Sequence, residues 1–280
     1  MGSEQIVRVS APAKINLGLH VLGKRPDGYH NIETVFVAIG WCDELEFRPS
    51  DTLELTCSDP RLPTDKTNLC MAAASLMAKA CGVDVGATIH LEKHIPYGAG
   101  LGGGSSDAAA TMRGLSRLWG VTVRDEELVA VAAQLGSDVP FFLNARPSVG
   151  EGRGEMLTAL ERVILPPFVT VVVPNVQVST ADAYASLRPE KRTRPPLGTM
   201  MSSGEATDWK GVLRNEFEAS IFSMVPELAG IKEKLYDAGA VYASMSGSGS
   251  AVYGLFQDEQ GASRAAQMGK HRSWYGRMLV

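Results

Sequence analysis

Apolar and polar residues alternate through the first part of the chain, with Ile15, Leu17, Leu19 and Val21 in one run and residues 34–39 in another. Arg25-Pro26-Asp27-Gly28 breaks the alternation with turn-forming residues. A period of two predicts several antiparallel strands over residues 6–55. The period then changes. Over 67–80 the apolar positions Leu69, Ala73, Leu76, Met77 and Ala80 fall three or four apart, with Thr67 or Asn68 as a cap and Gly82 as a stop, which predicts a helix.

A strand over 87–94 follows, then a glycine-rich loop over 97–104 and a helix whose apolar face is Ala108, Met112, Leu115 and Leu118 to Trp119. Residues 125–135 read as a further helix. The glycines at 150–154 read as a loop, with a domain seam at 150–165. Beyond it the pattern gives a strand over 168–173, a helix after Ser179, a Pro- and Ser-rich loop over 189–204, a helix over 226–238 and a strand over 241–244. A small-residue loop at 246–250, a strand over 251–256 and a last helix complete it. Residues 189–209 and 270–280 carry no usable motif, and no internal repeat is visible. Strands with helices returning over one face indicate an α+β chain in two layers, not a doubly wound parallel sheet. The expected domains are 1–160 and 161–280.

Composition narrows the function. A chain of 280 residues with 45% hydrophobic and 21% charged residues can bury a core without staples. Its 27 Lys and Arg against 31 Asp and Glu leave a net charge of −4, which offers a nucleic-acid polyanion no attraction. Cys42, Cys57, Cys70 and Cys81 form no CxxC pair, so they read as reduced thiols, not as a zinc or redox site. Residues 1–9 include Glu4 and Arg8 and lack the apolar core of a signal peptide, and Ile6 stands where a myristoylation motif needs Ser or Thr. The longest apolar stretch, 163–174, is short for a bilayer and contains prolines. These features together lead us to expect a cytoplasmic protein with no membrane partner; oligomeric state is not legible.

The 29 glycines cluster where chemistry is expected. Residues 96–107, Pro-Tyr-Gly-Ala-Gly-Leu-Gly-Gly-Gly-Ser-Ser-Asp, run straight into a helix. Backbone without side chains can close on a ligand there, and the helix start presents N–H groups and partial positive charge, which suits phosphate. A Walker A loop fails, because Ser105 and Ser106 stand where its lysine belongs. A dinucleotide fingerprint matches at Gly98, Gly100 and Gly103, with Asp125 as a ribose acceptor, and would make the chain an NAD-dependent oxidoreductase. It leaves the strand-rich first 95 residues, the very short candidate strand at 121–123 and the extra glycines and serines unexplained.

The same run resembles the ATP motif of the GHMP kinases, the superfamily of galactokinase and of homoserine, mevalonate and phosphomevalonate kinases. Pro-Ala-Lys-Ile-Asn-Leu at 12–17 resembles their N-terminal motif, and Met-Ser-Gly-Ser-Gly-Ser-Ala-Val at 245–252 their C-terminal glycine loop. Gly-Lys-Arg-Pro-Asp-Gly-Tyr-His at 23–30 and Leu-Gly-Ser-Asp-Val-Pro-Phe-Phe at 135–142 are similar to the branch that phosphorylates the 2-hydroxyl of 4-diphosphocytidyl-2-C-methyl-D-erythritol, in the non-mevalonate isoprenoid pathway.

The resemblance implies an N-terminal ATP-binding domain with a ribosomal protein S5-like fold, a C-terminal α/β sandwich for the substrate, and an active site in the cleft between them. It implies that Asp138 takes the proton of the acceptor hydroxyl while Lys14 offsets negative charge. ATP would lie against Asn68, Lys93, Pro96, Tyr97, Gly98, Ala99, Gly100, Leu101, Gly102, Gly103, Gly104, Ser105 and Ser106. Tyr97 is bulkier than the residue many members carry. The cytidine substrate would meet Asp27, Tyr29 and His30, with Tyr184 on its opposite face and Asn16 and Thr180 toward the erythritol and phosphate parts. Magnesium would arrive with ATP, near Ser106 and without a dedicated protein cage.

Structural roles compete at several positions: a helix cap for Asp138, a strand-edge cation for Lys14, helix packing for Tyr184 and a solvated strand position for Lys93. His90, Glu92 and His94 share one strand face, but their spacing is not that of a helical zinc site. An S5-like domain could also serve as a non-catalytic RNA-binding module, which the net charge opposes.

Overall fold

The period-two run folds as two long strands, β1 (Val7–Lys24) and β2 (His30–Ser50), which pair with each other. The Pro26-Asp27-Gly28 turn joins them; Gly28 takes φ +88°, a conformation that L side chains rarely adopt. The structure, a computed structural model, describes residues 6–187, 195–203 and 206–280. After β2 come β3 (Leu53–Cys57), α1 (Leu69–Cys81), β4 (Gly86–Glu92), α2 (Gly103–Trp119), α3 (Asp125–Leu135), β5 (Ser148–Glu151), β6 (Met156–Ala159) and β7 (Phe168–Val173). The remainder is α4 (Thr180–Ala185), α5 (Leu197–Ser203), α6 (Glu218–Met224), α7 (Pro226–Asp237), β8 (Tyr242–Met245), β9 (Val252–Phe256), α8 (Glu259–Ala266) and β10 (Arg272–Leu279). The chain is α+β, as its pattern indicates.

The elements group into two compact units that interleave along the sequence. The first holds the residues up to Ala13, Cys42–Ile95 and Gly102–Ala145; the second holds Lys14–Trp41, Pro96–Leu101 and Arg146–Val280.

In the first unit the last part of β2 pairs antiparallel with β4, and β3 pairs with β4 in parallel. Antiparallel strands were expected throughout this region. The parallel pair forms because α1 lies between β3 and β4 in sequence and supplies the long crossover that parallel neighbours require. Asn68 caps α1 by accepting from the Cys70 N–H, and Gly82 ends it in the left-handed region. Inward residues of the strands (Leu45, Phe47, Leu55, Ile89, Leu91) meet Met71 and Ala74 of α1 and Ala110, Leu115 and Leu118 of α2.

In the second unit β7 lies between β10 and β9, and β8 lies beyond β9, all antiparallel. Val169, Val171, Val172 and Val173 of β7 are all buried, so the strand reads as a continuous apolar run. Leu228, Ile231 and Leu235 of α7, Ile221 of α6 and Ala262 and Ala265 of α8 complete its core.

Three expectations change. Residues 150–154 are not loop throughout: Gly150 and Glu151 end β5, and a tight turn leads into β6, with Glu151 opposite Met156. Residues 270–280, which showed no motif, form β10, whose Trp274 stacks on Trp41 at 5.6 Å. The loop expected over 189–204 lies partly outside the described residues, and its described part contains α5.

Gly114 shows how tightly α2 seats. A Cβ there would lie 2.2 Å from the ring of fully buried Phe47. Ala ordinarily stabilises a helix interior by about 1 kcal/mol over Gly. Here we expect Gly114→Ala to destabilise instead, by about 1–3 kcal/mol through overpacking. A urea midpoint equal to or above that of the unaltered chain would show that Phe47 yields.

Candidate active site

The glycine-rich connection between β4 and α2 owes its shape to backbone handedness. Gly98, Gly100 and Gly102 have φ of +70°, +79° and +71°, so positive φ recurs at every second residue. Alternating handedness turns successive N–H groups toward one concave side, a nest that binds anions. Between them Ala99 and Leu101 are buried and anchor the loop. The three positive-φ glycines are therefore 98, 100 and 102, not the 98, 100 and 103 of a dinucleotide fingerprint. Gly103 and Gly104 already belong to the first turn of α2.

In the second unit three consecutive loop carbonyls are tied down. Ala251 N–H donates to Ala99 O at 3.0 Å, and Lys14 N–H donates to Leu101 O at 2.9 Å. Lys14 Nζ and Ser246 Oγ both donate to Gly100 O at 2.9 Å. A Cβ on Gly100 would sit 2.1 Å from Ser246 O, so the loops at 96–101 and 246–250 touch backbone to backbone. The second loop is held in turn by Asn215, whose Nδ2 donates to Met245 O and Gly247 O at 2.8 and 2.7 Å.

Lys14 is 3% exposed, and its Nζ also donates to Asn16 Oδ1 at 2.7 Å. It is a buried anchor of the glycine loop, not a strand-edge cation. Asn16 Nδ2 donates to Thr34 Oγ1 at 2.9 Å, and Asn16 O accepts from Tyr253 Oη at 2.7 Å. This engages Asn16 on several sides.

At the outer end of the same unit Tyr29 is 56% exposed, and the Arg153 guanidinium lies 4.8 Å from its ring centre. Asp27 accepts from Arg25 Nε at 3.0 Å and from the Tyr29 N–H at 3.1 Å. Tyr184 stacks on His30, with ring centres 4.6 Å apart and planes 15° apart, and meets Phe217 edge-on at 4.9 Å. Thr180 Oγ1 lies 3.1 Å from Ser248 Oγ.

The first unit contains the helix start and a buried charge cluster. Asp43, fully buried, accepts from the His94 and Ile95 N–H groups at 2.5 and 2.8 Å and from Lys93 Nζ. Lys93 Nζ also donates to Asp107 Oδ2 at 2.8 Å. Two carboxylates thus share one ammonium. Burial, with Asp43 adding to it against the pull of Lys93, pushes the Asp107 carboxyl up to about 8. Burial works to lower Lys93, but Asp107 and Asp43 outweigh it and raise it above its ordinary value. Asp107 Oδ1 and Ser106 Oγ are buried without a hydrogen-bond partner in the first turns of α2. Asn68 spends its amide on capping α1 and on donating to Pro63 O at 2.7 Å.

Asp138 is half-buried in the turn after α3. The short 3-10 turn Pro140–Leu143 follows it, with Val139 at the N-terminal boundary. Tyr97 is 69% exposed. His90 pairs with Glu92 at 3.6 Å, and no cluster of three or more metal-ligating side chains exists among the described residues. Among these residues no helix is long and apolar enough to cross a membrane.

Sequence reasoning missed Asp43, Asp107 and Arg153. Asp43 left a trace: it occupies the inward register of β2 with Trp41, Leu45 and Phe47, where a carboxylate needs a buried partner.

Comparison with known proteins settles the kinship. Residues 68–146 match the GHMP kinases N terminal domain, and residues 190–273 match the GHMP kinases C terminal domain. The 4-diphosphocytidyl-2-C-methyl-D-erythritol kinase of Salinibacter ruber is 47% identical over 267 residues, covering 94% of both chains. The chain belongs to the GHMP kinases. A crystal structure of 4-(cytidine 5'-diphospho)-2C-methyl-D-erythritol kinase superposes with a TM-score of 0.83 at 37% identity, covering 98% of this chain and 99% of that one. A homoserine kinase from Cytophaga hutchinsonii, at 20% identity and a TM-score of 0.76, shares the fold over 100% of this chain and 96% of its own. As a GHMP kinase, the chain is an ATP-dependent phosphotransferase acting on a small molecule, and the oxidoreductase reading falls. Members of the family typically also use a divalent metal ion.

The raised Asp107 carboxyl gives stability a pH dependence of definite sign. Below about pH 4, the range of an unfolded Asp, both states hold the proton. From there up to about 8 the unfolded chain loses it while the folded chain keeps it, so stability falls as pH rises and then levels off. We expect Asp107→Asn, which can still accept from Lys93, to flatten this fall. Denaturant midpoints across the window check it; parallel curves for the two proteins would place the proton elsewhere.

Proposed function

We propose that this kinase transfers the γ-phosphoryl group of ATP to the 2-hydroxyl of 4-diphosphocytidyl-2-C-methyl-D-erythritol. The observation that carries this is a relative named for that substrate, 47% identical along 94% of the chain. The turn motif at 23–30 supports it by presenting Tyr29 as an exposed aromatic surface beside Asp27 and His30. On this reading residues 1–160 serve ATP and 161–280 the acceptor, except that Asn16, Asp27, Tyr29, His30 and Asp138 of the first part also act on the acceptor. Free cysteines at 42, 57, 70 and 81 fit work in a reducing cytoplasm.

The nest at 98–102 and the start of α2 receive the ATP phosphates, with Pro96, Tyr97, Ala99, Leu101 and Ser105 shaping the loop. Asn68 and the stem of Lys93 border the adenine. Mg²⁺ is the metal; the orphaned Ser106 hydroxyl suits an oxygen-seeking ion, which would neutralise phosphate charge. Asp138 accepts the hydroxyl proton. Lys14, whose ammonium is fixed by Asn16 and Gly100 O, stabilises the charge of the transferring group. Tyr29 stacks on cytosine with His30 and Tyr184 near it, and Asn16 and Thr180 lie toward the acceptor's polar end.

ADP release across a panel of acceptors tests the reaction. It should depend on the cytidine-bearing alcohol, and equal turnover of mevalonate, homoserine or galactose would overturn the assignment. Asp138→Asn should lower kcat by about 10²- to 10⁴-fold, with ATP affinity nearly unchanged; near-normal kcat would remove Asp138 from the chemistry. Tyr29→Ala should weaken the cytidine substrate by roughly 5- to 150-fold. If ATP weakened equally, Tyr29 would be no cytosine platform.

A further inference from the structure

The Asp43–Lys93–Asp107 cluster is hard to explain as a device for stability. Removing three charged groups from water costs more than their attraction returns unless every polar atom is paired, and here Asp107 Oδ1 is left unpaired. Two carboxylates and one ammonium carry a surplus negative charge when all are ionised. The position of the cluster points to another use. Lys93, His94 and Ile95 form the stem by which the chain leaves β4 for the glycine loop, and Asp107 lies just beyond the stem by which it returns into α2. Asp43 grips the first stem through two backbone N–H groups, and Lys93 carries that grip across to Asp107. The contact is close: a Cβ on Gly103 would lie 3.3 Å from Lys93 Nζ and 3.1 Å from Ile95 Cγ2.

We propose that Asp43 is a positioning residue for the nucleotide: through His94, Ile95 and Lys93 it clamps the two stems of the glycine loop together and so sets the aim of the phosphate-binding N–H groups. This rests on the reading that the loop receives ATP. Lys93 then acts between two carboxylates rather than as a phosphate ligand.

The test is calorimetric titration of a non-hydrolysable ATP analogue, with Mg²⁺, into the chain and its Asp43→Asn and Asp43→Ala variants. Asp43→Asn keeps one acceptor oxygen for the backbone but loses the charge on Lys93; we expect binding about 10-fold weaker, and roughly 100-fold weaker for Asp43→Ala. Affinity of the cytidine-bearing alcohol should be unchanged in both. Folded Asp43 variants that bind the analogue normally would overturn the proposal. Should Asp43→Ala fail to fold, Asp43→Asn decides. An unaltered chain that binds no ATP analogue would instead remove the kinase reading, and this inference with it.

Discussion

The site depends on the inward fixing of three loop carbonyls, those of Ala99, Gly100 and Leu101. A loop of glycines is the most flexible stretch a chain can offer, and its ordering carries the largest entropic cost. Ala251, Ser246 and both the main-chain and side-chain nitrogens of Lys14 hold these carbonyls. With the carbonyls held and handedness alternating, successive N–H groups turn toward the opposite side. On the proposed function, a phosphate arriving there would find donors already oriented, so little reorganisation would oppose its binding.

The same constraint explains the small residues of the second glycine loop. Ser246 must bring its carbonyl against Gly100 and its hydroxyl to the Gly100 oxygen at once, and only an absent Cβ at 100 permits both. Asn215 holds that second loop from below, and Glu218 secures the strand that enters it by accepting from the Met245 N–H at 2.8 Å. Changes at Asn215 or Glu218 therefore reach the loop at 96–101 through backbone.

The sequence made the periodic elements legible and the long-range pairings illegible. α1, α3 and β7 follow from local spacing, capping and apolar runs, because those signals arise from neighbours in sequence. β10 was missed because its pairing with β7 and the stacking of Trp274 on Trp41 join residues far apart in the chain. The glycines at 150–154 read locally as a loop within what is the hairpin at 148–159, whereas Gly150 is glycine to clear the ring of Phe36, which a Cβ would approach to 2.5 Å. At the site, the motifs showed which residues matter but not what they do. Nothing local indicated that Lys93 is shared by two carboxylates, or that Asn16 sits within a buried network.

The two ends of the candidate site differ in how far they are prepared. On the proposed function, the phosphate end is built in advance from backbone. At the cytidine end Tyr184 is stacked on His30, with no room for a base at a ring separation of 4.6 Å. On the proposed function, a base that uses Tyr184 must first part this pair, giving up a contact worth about 0.5–1.5 kcal/mol. A cytosine offsets that loss by stacking on the freed ring and on Tyr29, whose other side Arg153 can support. An alcohol without a base has nothing to offset it with. On that reading, discrimination against simpler acceptors comes from a contact the free protein makes with itself, in addition to the contacts it makes with its substrate.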